Sequence, residues 1–331
     1  MRTHLPTGIL FVAGIAACTH DSPTRSDPFA TLASSRESDV QRTLVVDEDG
    51  ADCPHADFQR IQKAVDAAEP GATILVCAGT YREWVVVTKS ALRIVARGKP
   101  GDVVLDGQNI PGTACSPTSV TAVNCAGFEL RNAHDNLIEG FTVRRYWEAG
   151  IWLRLGSSGN TIRKNITTES PHHDGIQVAN GVDNLIEQNL SFENVTPAHN
   201  ACGINITAAG SAGNVVRHNE VYGNDFGIQA AGGALNTVIF RNESHDNRRF
   251  GIRNVVGASG TLIEDNRSMA NTGPGIALLQ SNDVTVARNK AFDNAPDLSW
   301  DGLGVNRFEQ NHCRTSVPPG LCEHEEGQSV K

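Results

Sequence analysis

The chain of 331 residues is short of the features that mark several large classes of protein. It has no surplus of positive charge: 28 Lys and Arg against 37 Asp and Glu give a formal net charge of -9. That argues against a protein that tracks nucleic-acid phosphates, which needs a basic face. No apolar run approaches the roughly 18 residues of a membrane-spanning helix. There is no Cys-x-x-Cys, so neither a zinc ribbon nor a thioredoxin-like redox motif is supported. Aromatic residues are scarce at 5%, and no Asn precedes Asn109, although 26 lie from that position onward. What is present, 39% hydrophobic and 20% charged residues, is a globular balance that excludes wholesale disorder. The length fits two ordinary domains or one elongated one. The step in Asn content calls for a structural cause.

The first residues read as an address. Arg2 precedes a short apolar stretch from Gly8 to Ala17, too short to span a bilayer and suited to the core of a signal peptide. It ends in Ile15-Ala16-Ala17-Cys18, which resembles the lipobox of bacterial lipoproteins. The resemblance implies a signal over residues 1–17 and a lipidated Cys18, hence a protein exported and anchored to the cell envelope without spanning it. A plain secretory signal with an A-x-A site is the alternative. In a Gram-negative cell, Thr19 points to the outer membrane or cell surface. Residues 18–42, rich in Ser, Thr, Asp and Pro, read as a flexible tether. In an oxidising compartment the remaining cysteines pair by neighbourhood as Cys53 with Cys77, Cys115 with Cys125 and Cys313 with Cys322, leaving Cys202 over. Spacing alone does not prove this connectivity.

From Asn136 the chain repeats itself. An apolar residue followed three places later by Asn recurs at Ile162–Asn165, Ile186–Asn189, Val216–Asn219, Ile239–Asn242, Ile263–Asn266, Val286–Asn289 and Phe308–Asn311, at intervals between 22 and 30 residues. A second Asn follows five places on at Asn194, Asn224, Asn247, Asn271 and Asn294. Then comes a Gly-apolar step, as at Gly150-Ile151, Gly175-Ile176 and Gly203-Ile204. A period near 24 with short β-type runs and Gly or Asn at the corners predicts an all-β solenoid of three strands per coil. Residues one period apart then stack, so Asn rows can bond amide to amide, and Asn also tolerates a left-handed corner.

These repeats resemble the pectin-lyase-like superfamily of right-handed parallel β-helices, and in particular the β-helix repeats of NosD-like proteins, over roughly residues 43 to 315. The segment Phe58 to Ala68, followed by Pro70-Gly71 and Ile74-Leu75-Val76, is similar to the opening of such proteins. Phe58, Ile61, Val65 and Ala68 form a helical stripe that can cap the open end of the solenoid. The expected organisation is cap and first coils over 43–135, repeats over 136–315 and a tail over 316–331. The Asn-x-Ser/Thr matches, such as Asn165-Ile166-Thr167, fall on the repeat and read as structure rather than glycosylation.

Function should lie where the period breaks. The corner before the third strand carries Trp147-Glu148 in one coil, Pro171-His172-His173-Asp174 in the next, and an insertion from Val195 to Cys202 with His199 and Asn200 in the one after. Alternation after the Gly-apolar step sends Trp152, Gln177, Asn205, Gln229 and Arg253 outward, with Arg154 two places beyond Trp152. A Trp platform, amides and Arg suit an acidic polysaccharide, because Trp stacks on sugars and Arg pairs with carboxylates. The resemblance implies a sugar groove on this surface. Lyases and C5-epimerases of uronates need a base and a group that neutralises the carboxylate; His172 or His173 fits the first role and Arg253 or Arg154 the second. Pro171-His172-His173-Asp174 looks like the Asp-Pro-His motif of mannuronan epimerases, with Ser170 where the acid stands and one extra His. Asp174 reads either as part of the site or as a turn residue, and Phe226 and Phe250 at the equivalent position suggest that this row, Cys202 included, points inward. No cofactor is required by the sequence, and calcium is implied only by the resemblance. Expected partners are a polysaccharide or envelope glycan, bound by a monomer. A non-enzymatic glycan-binding solenoid is the alternative.

Overall fold

The structure is a computed structural model and describes residues 42–110, 125–196 and 200–323. Cys18, Cys115 and His199 lie outside them. The described chain forms three parallel sheets of 11, 10 and 10 strands. Each coil visits them in turn, as in Thr161–Arg163, Ile166–Thr168 and Asp174–Ala179, before Leu185–Glu187 rejoins the first sheet one coil on. Strand pairing joins residues one period apart, for example Ile162 with Ile138 and Ile186. The coils wind right-handed, the sense favoured for parallel crossovers.

Stacking turns sequence repeats into interior rows. Ile138, Ile162, Ile186, Val216, Ile239, Ile263 and Val286 are fully buried along the first sheet, facing Ile151, Ile176, Ile204, Ile228 and Ile252 of the third. The interior row of the second sheet is smaller, mixing Thr167, Ser191, Ser244 and Ser268 with Val143, Val221 and Ala291. Glycine explains why. A Cβ on Gly175 would stand 2.2 Å from Ser191 Oγ and 2.7 Å from the carbonyl oxygen of Gly203. Gly150, Gly175, Gly203, Gly227 and Gly251 therefore point inward at a close approach of two sheets, with Thr, Ser or Val opposite.

The Asn rows form as expected, with one correction. The backbone and side-chain nitrogens of Asn165 both donate to Asn189 Oδ1, at 3.0 and 3.2 Å, and the pattern continues to Asn311. The left-handed residue at this corner is the one before each Asn, such as Lys164, Gln188 and His218, with φ of 53°, 56° and 54°. Asn is there for its amide and not for its backbone freedom. A third row, Asn136, Asn160, Asn184 and Asn214, precedes the first sheet in the same way.

The only helix among the described residues, Ile61–Ala67, buries Ile61, Ala64 and Val65 against the strands Thr43–Val46, Thr73–Val76 and Val85–Val87. Its free N–H groups at Ile61 and Gln62 donate to the Glu83 carboxylate at 2.9 and 3.1 Å. Disulfides join Cys53 to Cys77, tying this region to the first coil, and Cys313 to Cys322. Cys125 is also disulfide-bonded, while Cys202 is free and buried.

Candidate active site

The third sheet carries the candidate site because its strands break alternation. Gly150 and Ile151 both point inward, so Ala149 before them and Trp152 after them share the outer face. Trp152 packs with Ala126 and Ala149 in a cluster separate from the main core. The same applies one coil on: Asp174 stands in register with Ala149 and its carboxylate reaches Asn205 outside. Phe226, in register with Cys202 and Phe250, has the Arg253 guanidinium 3.3 Å over its ring. The expectation that the residue before Gly points inward is thus overturned, for Asp174, Cys202, Phe226 and Phe250 alike. The glycine occupies the inward place that simple alternation assigned to its predecessor.

Two parallel rows result. The first runs Ala149, Asp174, Cys202, Phe226, Phe250. The second runs Glu129, Trp152, Gln177, Asn205, Gln229, Arg253. Sequence reasoning expects the second row to be exposed, yet Trp152, Gln177, Asn205 and Gln229 are only 6 to 8% exposed. The rows are stitched together. Gln229 Nε2 donates to Asn205 Oδ1 at 3.0 Å, Asn205 Nδ2 to Asp174 Oδ2 at 2.9 Å, and the Cys202 backbone N–H to Asp174 Oδ1 at 2.7 Å.

The stitching is incomplete. Trp152 Nε1, Gln177 Oε1, Gln229 Oε1 and Arg253 Nε are buried with no hydrogen-bond partner. They fall on one register row. The other such atoms among the described residues are hydroxyls of Thr142, Thr168, Ser170, Thr237 and Thr261, the last two stacked at the corner before the first sheet, and single atoms of Arg163 and Asn254. Orphaned polar atoms cost about 1–3 kcal/mol each unless water or a ligand satisfies them.

Beside these rows lie the titratable groups. Burial raises the pKa of Glu148, with Asp174 adding to the shift and His173 opposing it. Burial also raises Asp174, against the bonds from Asn205 and Cys202 and the charge of His173. Burial thus disfavours the ionised form of both carboxyls. Burial pushes the Cys202 thiol well up, as does Asp174, so it is not a thiolate nucleophile. Burial lowers the pKa of Arg253, with nearby Arg249 adding to this and Cys202 and Asp174 opposing it.

The structure separates the two histidines. His172 is exposed and stacks on Trp147, ring centroids 3.4 Å apart; burial and His173 lower its pKa. Trp147 itself packs against the main core. His173 is the one that acts on Glu148 and Asp174. Asp225 holds the inserted loop, its carboxylate accepting from the N–H groups of Thr196 and Ala201 at 2.9 and 3.3 Å. Arg248 lines a separate open corner cleft of about 530 Å³ with Glu169, Pro171, Glu193 and Asp246.

Three further residues, Trp84, Glu129 and Arg131, are missed by the sequence reading. Arg154 lies 4.0 Å over Trp152 and Arg131 lies 5.3 Å over Trp84, and both guanidiniums pair with Glu129 at 3.5 and 2.7 Å. The signal was available: Gly127-Phe128-Glu129-Leu130-Arg131 repeats Gly150-Ile151-Trp152-Leu153-Arg154 one coil earlier. Among the described residues no group of three or more His, Cys, Asp or Glu side chains is arranged to hold a metal ion, so no step is derived through calcium.

Residues 164–312 match the family model described as a right handed beta helix region. Pectate lyase PEL9 of Emericella nidulans is 29% identical over 197 residues, 54% of this chain and 45% of that protein; the chain thus spans less than half of that relative. Pectate lyase Pel9A is 18% identical in structure-based alignment, with a TM-score of 0.63 over 83% of this chain and 78% of its own. The A-module of a mannuronan C-5 epimerase from Azotobacter vinelandii gives 18% identity and a TM-score of 0.59 over 76% and 82%. A periplasmic alginate epimerase gives 17% and 0.53 over 76% and 83%. At such identities the solved structures share the fold and no more.

Proposed function

We propose that this right-handed parallel β-helix, which is similar to pectate lyases, processes an acidic, uronate-containing polysaccharide in the groove of its third sheet. The observation that carries this reading is the row of unpartnered buried polar atoms on Trp152, Gln177, Gln229 and Arg253. Spread over five coils at the ~4.8 Å strand spacing, these residues span about 19 Å. Sugar hydroxyls and carboxylates are the groups that would satisfy them.

The chemistry follows from what stands beside the row. His173 takes the proton from the carbon next to the uronate carboxylate. The charge moves onto that carboxylate, where Arg253, always protonated and held over Phe226, offsets it. The Glu148–Asp174 pair holds a proton for the second half of the reaction. Given to the departing glycosidic oxygen, it completes a β-elimination and leaves an unsaturated sugar. Given back to the carbon from the other face, it completes an epimerisation. Export and anchoring through Cys18 belong to the same proposal, and the disulfides suit an oxidising compartment; a Cys18→Ser variant should leave the membrane fraction.

The test is incubation with polygalacturonate and polymannuronate, with and without calcium, followed by ultraviolet absorbance for the unsaturated product and NMR for inversion. His173→Ala should lose at least about 100-fold in rate, and His172→Ala should stay within a few-fold. Flat signals in both assays, with binding of the same polymers retained, would leave a glycan-binding module instead.

A further inference from the structure

The end of the groove that precedes the acid pair is built around a carboxylate that no reaction step uses. Glu129 is fully buried. Its Oε1 accepts from Arg131 Nε at 2.7 Å and its Oε2 from Arg131 Nη2 at 2.7 Å and Trp84 Nε1 at 2.9 Å. Arg154 reaches it through Nη1 alone, at 3.5 Å. Each guanidinium also lies over a tryptophan, Arg131 over Trp84 and Arg154 over Trp152. Two cations on one anion leave a surplus of one positive charge among these three groups, with Glu148, whose ionised form burial disfavours, near enough to feel both Arg154 and Glu129. The Arg side chains remain 38 and 32% exposed, while the Glu between them is shut away from solvent. Next to them Trp152 Nε1 is buried without a partner.

Such an arrangement is costly unless something uses it. A buried carboxylate needs its partners, and one Arg would pair it bidentately. The second guanidinium, stacked but only loosely paired, keeps Nε and Nη2 turned to other uses. Stacking on two rings removes most of the rotamer freedom that an Arg must lose on binding.

We infer that Arg131 and Arg154 form a second carboxylate-binding subsite, on the coil of Glu148 and the one before it, which selects a polymer carrying an acidic sugar at that place. This rests on the reading of the groove as a polysaccharide site. The subsite takes one carboxylate, matching the single unit of surplus charge, with the indole N–H of Trp152 as a further donor. Glu129 is a positioning residue: it holds both guanidiniums on their rings and touches no substrate. In consequence the groove reads charge at two places, at Arg253 beside the reacting sugar and at Arg131 and Arg154 beyond it.

The experiment uses the His173→Ala protein, so that ligands are not consumed. Titration calorimetry compares oligogalacturonate and oligomannuronate with the same oligosaccharides after carboxyl reduction. Arg154→Met and Arg131→Met should each weaken the acidic ligands by about tenfold and leave affinity for the reduced ligands unchanged. Arg154→Lys should restore only part of the loss, because it keeps the charge and not the fork. Equal loss on acidic and reduced ligands, or no loss, overturns the subsite. Thermal melting of each variant identifies one that fails to fold, and in that case the Lys variant decides the matter. If acidic ligands bind and depend on both arginines but wild-type protein makes no product, the chemistry proposed above falls and the subsite stands. If no ligand binds at all, both fall.

Discussion

Two sets of buried polar side chains are repeated coil by coil in this molecule, and they differ in one respect. In the Asn rows at the corners the amides find their partners: inside a row an Oδ1 such as that of Asn189 accepts twice from the coil before it, and Nδ2 also reaches a backbone carbonyl. In the groove row the side chains are nearly as buried, yet Trp152, Gln177, Gln229 and Arg253 keep atoms without partners. Repetition and burial are common to both, so neither distinguishes structure from function. What differs is how far the side-chain amides and N–H groups are satisfied: the Asn ladders are closed networks that stabilise the fold, and the third-sheet row is an open one, at a cost in stability.

The comparison breaks most clearly under mutation. Asn219→Ala strands the two buried donors of Asn189, now bonded at 2.9 and 3.0 Å, and should cost about 3 kcal/mol in urea unfolding. Gln177→Met removes an orphaned acceptor and should change stability by less than about 1 kcal/mol while weakening polysaccharide binding. Equal destabilisation by the two would make the groove row one more structural ladder.

A smaller effect sharpens the electrostatic side. Burial raises the folded-state pKa values of Glu148 and Asp174. Between the ordinary carboxylate range and those raised values the folded protein therefore binds more protons than the unfolded chain, and stability falls as pH rises through that window. Glu148→Gln should flatten this fall, gaining on the order of 1 kcal/mol at pH 7 relative to about pH 4. A variant that follows the wild-type pH curve would remove the acid pair from the account.

The smallest effect belongs to the outer face of the second sheet. Burial alone would lower the pKa of His245, but Asp246 and Glu220, at 2.7 and 3.3 Å, raise it. The charged imidazolium therefore stabilises the fold below its ordinary pKa, and that contribution is lost as pH rises through the folded value. Both partners are more than half exposed, so His245→Gln should cost only a few tenths of a kcal/mol at acidic pH and low salt, and nothing at high salt. Thermal melts at two ionic strengths check it.

The fold was legible because stacking makes the sequence periodic: Ile at the first sheet, Asn at the corners and Gly before the third sheet recur one coil apart. The third Asn row was harder to see, since it gives way to Thr237 and Thr261 after four coils. Of the site, Trp152, Gln177, Asn205, Gln229 and Arg253 were legible as a row from the Gly-apolar step. Their burial was not, because it depends on neighbouring side chains. The residue before Gly was misassigned because alternation does not anticipate two consecutive inward residues. Glu129 and Arg131 escaped because the clear repeat begins at Asn136, one coil too late, and Trp84 because only the fold brings it to Glu129.

The ladders also give the rod an electrical direction. Along each row the amide-to-amide bonds all run one way, backbone N–H and Nδ2 donating to the Oδ1 of the following coil, so the side-chain amide dipoles add along the axis and the last N–H groups need an acceptor at the C-terminal end. In the second row those groups belong to Asn294, and they meet the carboxylate of Asp297 at 3.0 and 3.1 Å. Asp297 also accepts from the N–H groups of Arg314 and Thr315. An anion thus closes the positive end of a dipole array, as acidic residues do at the start of a helix. A shortened rod that removes whole internal coils should keep this polarity intact, but one cut before Asp297 would present an uncapped positive pole to solvent.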